Sequence, residues 1–349
     1  MTSIPKTMKA GQWDPKAKAV VINDVAVPEP GPNQFLVKIR SASLCHSDLM
    51  NMQYPAADRP VTIGHEGVGH IVKMHPSAER KGFKVGDGIG FGYFVDCCFE
   101  CEGCMVHNMH CELGTSKVQG FAADGYFAEY AVVDYHNGIV LDESQWDLRT
   151  ASAMFCAGVT AFNSVDSCNA TPGQWFAVVG CGGLGQLATQ YATAMGLRVI
   201  GIDVADANLE ETRKQGAEHV FNSRTSAGSY IDEIKKITGG GVHHVAVYTN
   251  AQPAFVNAPK VLRIGGTLMI IGIAPQPLEF TAMDVVLGRY KIKADSTGIP
   301  QRIPKAIAFS AKHNIRPVVD VRGGLDQLAG MVQEMREGRL TKRTAVAFD

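Results

Sequence analysis

Residues 174–185 read Gln174-Trp175-Phe176-Ala177-Val178-Val179-Gly180-Cys181-Gly182-Gly183-Leu184-Gly185. An apolar run leads straight into a Gly-x-Gly-x-x-Gly. The run predicts a buried strand, and Gln186 to Met195 predicts the helix that follows. Such a glycine pattern is weak evidence alone, but between a strand and a helix it is a dinucleotide fingerprint. Gly180, Gly182 and Gly185 permit a tight turn and the close approach of a pyrophosphate, which then rests on the positive end of the helix.

The neighbouring sequence extends the same architecture. A second strand, Arg198-Val199-Ile200-Gly201-Ile202-Asp203, ends on a carboxylate. A carboxylate there can accept both ribose hydroxyls of NAD and repels the 2′-phosphate of NADP. Val204 to Asn208 supply no Arg or Lys for that phosphate, so the expected cofactor is NAD. Helical stretches at Asn208–Gln215 and Tyr230–Thr238 alternate with apolar runs at Val242–Tyr248 and Gly266–Gly272. This alternation predicts an α/β fold, a doubly wound parallel sheet with helices on both faces.

Ahead of this region, to about residue 150, the chain is β-rich. Short apolar runs such as Phe35–Ile39 and Gly69–Val72 are separated by Pro and Gly. Pro28, Pro30 and Pro32 with Gly31 mark a connector, and Val85–Gly90 reads as a tight turn between strands. Beyond about residue 297, helical stretches around Pro304–His313 and Leu325–Glu337 precede a last strand, Arg343 to Phe348. The pattern predicts that this tail rejoins the first domain.

At 349 residues the chain is long enough for two domains. A formal net charge of −1 and 8% aromatic residues, with no basic cluster, argue against a nucleic-acid partner. Met1 to Val21 holds no apolar run behind a basic flank, so no signal peptide is expected. No apolar stretch reaches the ~18 residues that span a bilayer. The expectation is a cytoplasmic protein with no membrane partner.

Three further stretches carry chemistry: Leu44-Cys45-His46-Ser47-Asp48, Gly64-His65-Glu66-Gly67 and Phe155-Cys156-Ala157-Gly158-Val159-Thr160. Together Cys45, His65 and Cys156 make a set of two thiolates and one imidazole. A catalytic zinc takes three such ligands and keeps one position open. Of nine cysteines, five lie between Cys97 and Cys111. In a chain without a secretion signal such a cluster predicts a metal site rather than disulfides. Cys98, Cys101, Cys104 and Cys111 would give a closed four-thiolate shell around a second, structural zinc. Whether Cys97 or its neighbour Cys98 is the ligand stays open at this point. Cys168 and Cys181 have no ligand-spaced partner and read as small apolar residues.

Taken together, CHSD, GHEGVG, the four-cysteine lobe, FCAGVT, VVGCGGLG and the closing Lys342-Arg343 resemble the zinc-dependent alcohol dehydrogenases. These belong to the medium-chain dehydrogenase/reductase superfamily, and the likeness is to their compact, tetrameric microbial branch. The resemblance covers nearly the whole chain. It implies a GroES-like catalytic domain over residues 1–155 and 297–349 and an NAD-binding Rossmann domain over 156–296. It implies that Cys45, His65 and Cys156 hold the catalytic zinc, with Glu66 able to enter the ligand shell, and that Asp48 orients His65. Ser47 would take the alcohol proton, His46 and Arg343 would meet the cofactor pyrophosphate, and Thr160 and Leu184 would back the nicotinamide. Gly180, Gly182, Gly183, Leu184, Gly185 and Asp203 would complete the cofactor site.

The implied activity is hydride exchange between NAD and a primary or secondary alcohol, or the matching aldehyde or ketone, with two zinc ions per chain and a homotetrameric assembly. The same site run as a biosynthetic aldehyde or ketone reductase is an alternative. A silent cofactor-binding protein is another, disfavoured by the complete ligand set and Ser47. The chain departs from the family at Met50, where many members carry a His that ends a proton relay; a thioether cannot relay a proton. Tyr93 is expected to narrow the substrate pocket, with Met52, Tyr54 and Phe94 as further candidates for its wall.

Overall fold

The computed structural model describes residues 4–226 and 228–348. The chain divides into two compact units. One comprises Met1–Cys156, Gly298–Ala311 and Arg316–Asp349; the other comprises Ala157–Thr297 and Lys312–Ile315.

Among the described residues, the second unit is built on six parallel strands. Their spatial order is His219–Asn222, Arg198–Asp203, Trp175–Val179, Val242–Val247, Leu262–Ile270 and Tyr290–Ala294. Trp175–Val179 lies mid-sheet and is buried throughout. That is why it reads as an unbroken apolar run rather than an alternation. Trp175, Ile200, Ile234, Val245 and Leu268 share one core with it.

The two outermost strands were not legible in the sequence. His219–Asn222 is only half-buried, and Tyr290–Ala294 (YKIKA) places two lysines on the sheet's other edge. Edge strands carry polar residues and lack the continuous apolar signal. The short helices Gln252–Asn257 and Ala282–Val286 also lie outside the expectation. The helix after the fingerprint begins at Gly183, not Gln186, because Gly182 in extended conformation serves as its N-cap.

In the first unit the antiparallel strand Gln34–Leu44 is central. It pairs with Glu66–Met74 on one side and Arg343–Ala347 on the other, and also with Tyr130–Asp134. Phe35, Ile39, Ile71, Phe91 and Phe127 fill its core. Val85–Gly90 is half turn and half strand. Gly86 turns at φ +97°, while Gly88–Phe91 is a buried strand beside Glu66–Met74. Its glycines hide the apolar period on which a strand reading depends.

The register of these strands brings several of the candidate metal-binding side chains together. Ser43 faces Glu66, and Thr344 faces Leu44. Cys45, Glu66 and Arg343 therefore come to the same end of three adjacent strands. Cys156 arrives differently, on the residue after the 3-10 helix Ala151–Phe155. Phe155 is fully buried against the strand at Gly90, where an added Cβ would lie 1.7 Å from the ring. The missing side chain at Gly90 is thus the space that seats Phe155 and, one residue on, Cys156.

No described helix is long and apolar enough to cross a membrane. Gly90→Val should overpack this contact and destabilise the fold by ~3 kcal/mol or more, the upper end for a forced core insertion. Chemical denaturation checks it; an unchanged midpoint would show that Phe155 moves aside freely.

Candidate active site and metal centres

Two groups of ligand atoms converge, each within 4.8 Å: Cys45, His65, Glu66 and Cys156, and separately Cys98, Cys101, Cys104 and Cys111. Both groups lie in the first unit.

Local structure explains the first group. Cys45 in extended conformation caps the helix His46–Gln53. Its amide donates to Asp48 Oδ2 at 2.8 Å, while Asp48 Oδ1 lies 2.9 Å from His65 Nδ1. One buried carboxylate therefore fixes two candidate ligands. A proton on Nδ1 would leave His65 Nε2 free to coordinate a metal, the usual arrangement for a metal-binding histidine. Ser47, half-buried on the same helix turn, lies 3.8 Å from the Cys45 sulfur.

Glu66 is wholly buried and is bonded by the Ser43 hydroxyl and by the Arg343 guanidinium. Burial pushes its carboxyl up to about 8, against the opposing pull of Arg343. A hydrogen bond from Cys156 lowers the Cys45 thiol well below its ordinary value, overcoming burial, with help from Arg343 and His65. The same bond and burial raise Cys156. Burial disfavours charge on His65, but the Asp48 carboxylate outweighs it and raises the imidazole. Such a compact set of thiols, an imidazole and a carboxylate fits a borderline-soft divalent metal such as zinc.

Rings wall this group. Tyr93 meets His65 edge-on at 5.0 Å and Phe121 meets it at 5.5 Å. Phe94 packs behind Tyr93. Met52 belongs to the core rather than the wall, and Tyr54 is exposed.

The four-cysteine group fits a closed metal shell. Cys98 sulfur lies 3.7 Å from Cys111 sulfur and 3.9 Å from Cys104 sulfur. A tetrahedron with ~2.3 Å metal–sulfur bonds has edges of about 3.8 Å, whereas a disulfide would need ~2.05 Å. Backbone amides of Cys98, Cys101, Cys104 and Glu112 each donate to a sulfur of this group at 3.4 Å. Cys97 turns away and donates to Ser116 Oγ at 3.1 Å. Geometry thus selects Cys98. Cys168 and Cys181 are buried singly in the second unit.

In the second unit the fingerprint has the expected shape. Gly180 turns at φ +91°, and a Cβ on Gly185 would lie 2.0 Å from the Gly180 carbonyl. At Gly182 nothing lies within 4 Å, which leaves room for a ligand to approach the backbone. Gly183 and Leu184 open the helix Gly183–Ala194. Asp203 Oδ2 accepts from the Cys181 amide at 2.6 Å, and Oδ1 accepts from Val204 and Ala205. Oδ1 is thus fully used, and Oδ2 keeps a second lone pair for a ribose hydroxyl. Thr160 is buried and bonded to Thr297 at 3.0 Å.

An "Alcohol dehydrogenase GroES-like domain" matches residues 31–143, and a "Zinc-binding dehydrogenase" domain matches residues 183–312. An alcohol dehydrogenase of Geobacillus stearothermophilus is 32% identical over 349 residues, covering 98% of this chain and 100% of that one. The chain belongs to the zinc-dependent alcohol dehydrogenases. An alcohol dehydrogenase of Rhizobium meliloti (strain 1021) is 30% identical, with 97% and 98% of the two chains covered. The crystal structure of the alcohol dehydrogenase from the archaeon Aeropyrum pernix matches with a TM-score of 0.86 at 26% identity, over 97% of this chain and 100% of that one. Membership in this medium-chain family agrees with the Rossmann-like sheet and the β-rich GroES-like unit.

Two residues that touch this cluster escaped the sequence reading. Ser43 sits in a run of four buried residues, Ser41 to Leu44, where nothing in the sequence sets its hydroxyl apart. Phe121 lies in a glycine-rich loop that carries no periodic signal. His46 and Arg343 were both expected at a pyrophosphate; His46 is exposed at the helix start, and Arg343 is spent at least in part on Glu66.

Cys98→Ser should lower the metal bound per chain and the stability, since a structural site contributes directly to folding. Cys97→Ser should change neither. Elemental analysis with thermal melts decides; equal losses in both variants would contradict the selection of Cys98.

Proposed function

We propose that the protein is an NAD-linked alcohol dehydrogenase of the ethanol-dehydrogenase reaction type, exchanging hydride with a primary or secondary alcohol or the matching aldehyde or ketone. The single observation that carries this reading is the convergence of Cys45, His65, Cys156 and Glu66 around one point. Zinc bound there would supply Lewis acidity toward a hydroxyl or carbonyl oxygen. Asp48 holds Cys45 and His65 in coordinating pose, and Tyr93 and Phe121 exclude water. The Ser47 hydroxyl accepts the substrate proton and passes it on.

In this reading Cys98, Cys101, Cys104 and Cys111 hold a second zinc. The catalytic domain spans residues 1–155 and 297–349, with the candidate ligand Cys156 just past its first boundary, and residues 156–296 bind the cofactor. Gly180, Gly182, Gly183 and Gly185 cradle the pyrophosphate, which His46 and Arg343 contact, and Thr160 and Leu184 lie behind the nicotinamide. Asp203 receives the adenosine ribose and favours NAD. The substrate is a primary or secondary alcohol taken into an apolar pocket, and the assembly is a cytoplasmic homotetramer.

The test is NADH production or consumption against a panel of alcohols and carbonyls, with and without zinc chelation. Activity lost on chelation and absent in Cys45→Ser is expected; turnover indifferent to both would exclude the reading. In the same assay NAD should outperform NADP in kcat/KM. Asp203→Ser should narrow that ratio about tenfold, or ~1.4 kcal/mol. Equal use of both cofactors by the parent protein would remove Asp203 from the ribose site.

Met50 favours the reductive direction as a second reading. It is half-buried on the same helix as Ser47, where a His with an ordinary pKa of ~6.5 could shuttle protons at neutral pH. Met50→His should raise alcohol oxidation a few-fold near neutral pH and less at high pH, where hydroxide takes the proton unaided. Superimposable pH–rate profiles for the two proteins would place position 50 off the proton path.

A further inference from the structure

The second unit contains a cavity of about 430 Å³ that the dehydrogenase chemistry does not use, lined among others by Gln174, His243, His244, Arg263, Lys291 and Lys293. It lies at the N-terminal ends of the parallel strands: Gln174 precedes the strand Trp175–Val179, whereas the glycine fingerprint follows it. That strand has five residues, so the two places are separated by about 17 Å at 3.3 Å per residue.

The cavity is shaped by an irregularity in the sheet. Pairing steps from Val242↔Leu262 to His244↔Thr267, so one strand advances two residues while its neighbour advances five. Arg263 to Gly266 therefore lie opposite His243 alone, turning through Gly265 at φ +77°, and Arg263 reaches the cavity wall.

Its electrostatics are one-sided. Arg263, Lys291 and Lys293 line it, and no carboxylate does among the described residues. Lys293 donates to the Ser167 carbonyl at 2.8 Å, a neutral partner. The hydrogen bonds are also incomplete in a particular way. The Trp175 amide donates to His243 Nδ1 at 3.1 Å, so Nε2 of the neutral ring carries the proton. That Nε2 lies 2.5 Å from Arg263 Nη1. Two donors thus confront each other without an acceptor.

His244 has the opposite shortage. Gln174 Oε1 accepts from the Thr171 amide, which fixes the orientation of its amide, and it lies 3.0 Å from His244 Nε2. Nε2 is therefore the protonated nitrogen. Nδ1 is left as a buried acceptor with no partner among the described residues, on a residue only 8% exposed. Burial, with His243 and Lys293, pushes His244 down to about 4, so it remains a neutral acceptor.

A hydrogen phosphate group answers both shortages. Its anionic oxygens accept from Arg263, His243 and the lysines, and its P–OH can donate to His244 Nδ1. Sulfate offers the same acceptors but no proton. We propose that this cavity is a binding site for a protonated phosphate group, either inorganic phosphate or a phosphate monoester. Its volume falls in the ~300–1,000 Å³ range of small-molecule pockets, which leaves room for an ester's organic part. The inference does not depend on which alcohol the enzyme uses.

The test is calorimetric titration of the zinc-loaded, NAD-saturated protein, so that the fingerprint is already filled, with inorganic phosphate, glycerol phosphate and sulfate at matched ionic strength. Phosphate should bind more tightly than sulfate, and Lys291→Gln/Lys293→Gln should weaken it about tenfold or more while alcohol turnover stays unchanged. Should the double variant melt early, Lys291→Gln alone, at an exposed position, gives the same readout. Tighter glycerol phosphate marks an organic ester as the ligand, and tighter inorganic phosphate marks the free ion; both fit the proposal. No binding, unchanged affinity in the variants, or sulfate equal to phosphate would overturn it.

Discussion

The Asp48 carboxylate is the interaction on which the candidate metal-binding cluster depends. Its two oxygens hold the Cys45 amide and the His65 ring, so one side chain caps a helix and sets the tautomer of a ligand at once. The three-residue step from Cys45 to Asp48 is the spacing at which a first-turn carboxylate reaches back to the residue capping its helix. The compact CHSD stretch is therefore a small folding unit as well as a collection of reactive groups. Removing the carboxylate would free both ligands together.

Around it the charges are balanced rather than neutral. Glu66 is buried between the ligand cluster and Arg343, and burial raises its proton affinity while Arg343 opposes this. Burial likewise disfavours the charged Arg343, yet Glu66 and the two thiols around it hold it firmly protonated. The two partners thus respond differently to the same burial. The guanidinium remains the fixed charge and the carboxyl the adjustable one, since arginine does not lose its proton in proteins. A divalent cation in the cluster would add positive charge and favour the carboxylate.

Much of the ligand cluster could be read from the chain because its groups sit in short, stereotyped stretches. CHSD, GHEG and the cysteine lobe each bring their own local geometry, and the four sulfurs close up because spacings of three and seven allow little else. Ser43 and Phe121 could not be read: one is a common residue on a strand, the other a loop aromatic, and only the Glu66 carboxylate and the His65 ring give them a place. The edge strands His219–Asn222 and Tyr290–Ala294 were hidden for a related reason, since half-buried polar strands lack an apolar signature.

The sequence by itself determined which chemistry is present: the donor atoms, the glycine turn before a helix, the carboxylate of Asp203 and the alternation that demands a parallel sheet. These follow from residue type and short-range spacing, which the backbone reads within a turn or two. Only the tertiary structure decided which donors meet. Strand register brings Arg343 to Glu66 across 277 residues, the void at Gly90 seats Phe155 and Cys156, and side-chain direction separates Cys98 from Cys97. Register and packing are long-range quantities: they depend on which strands become neighbours, and no local spacing encodes that.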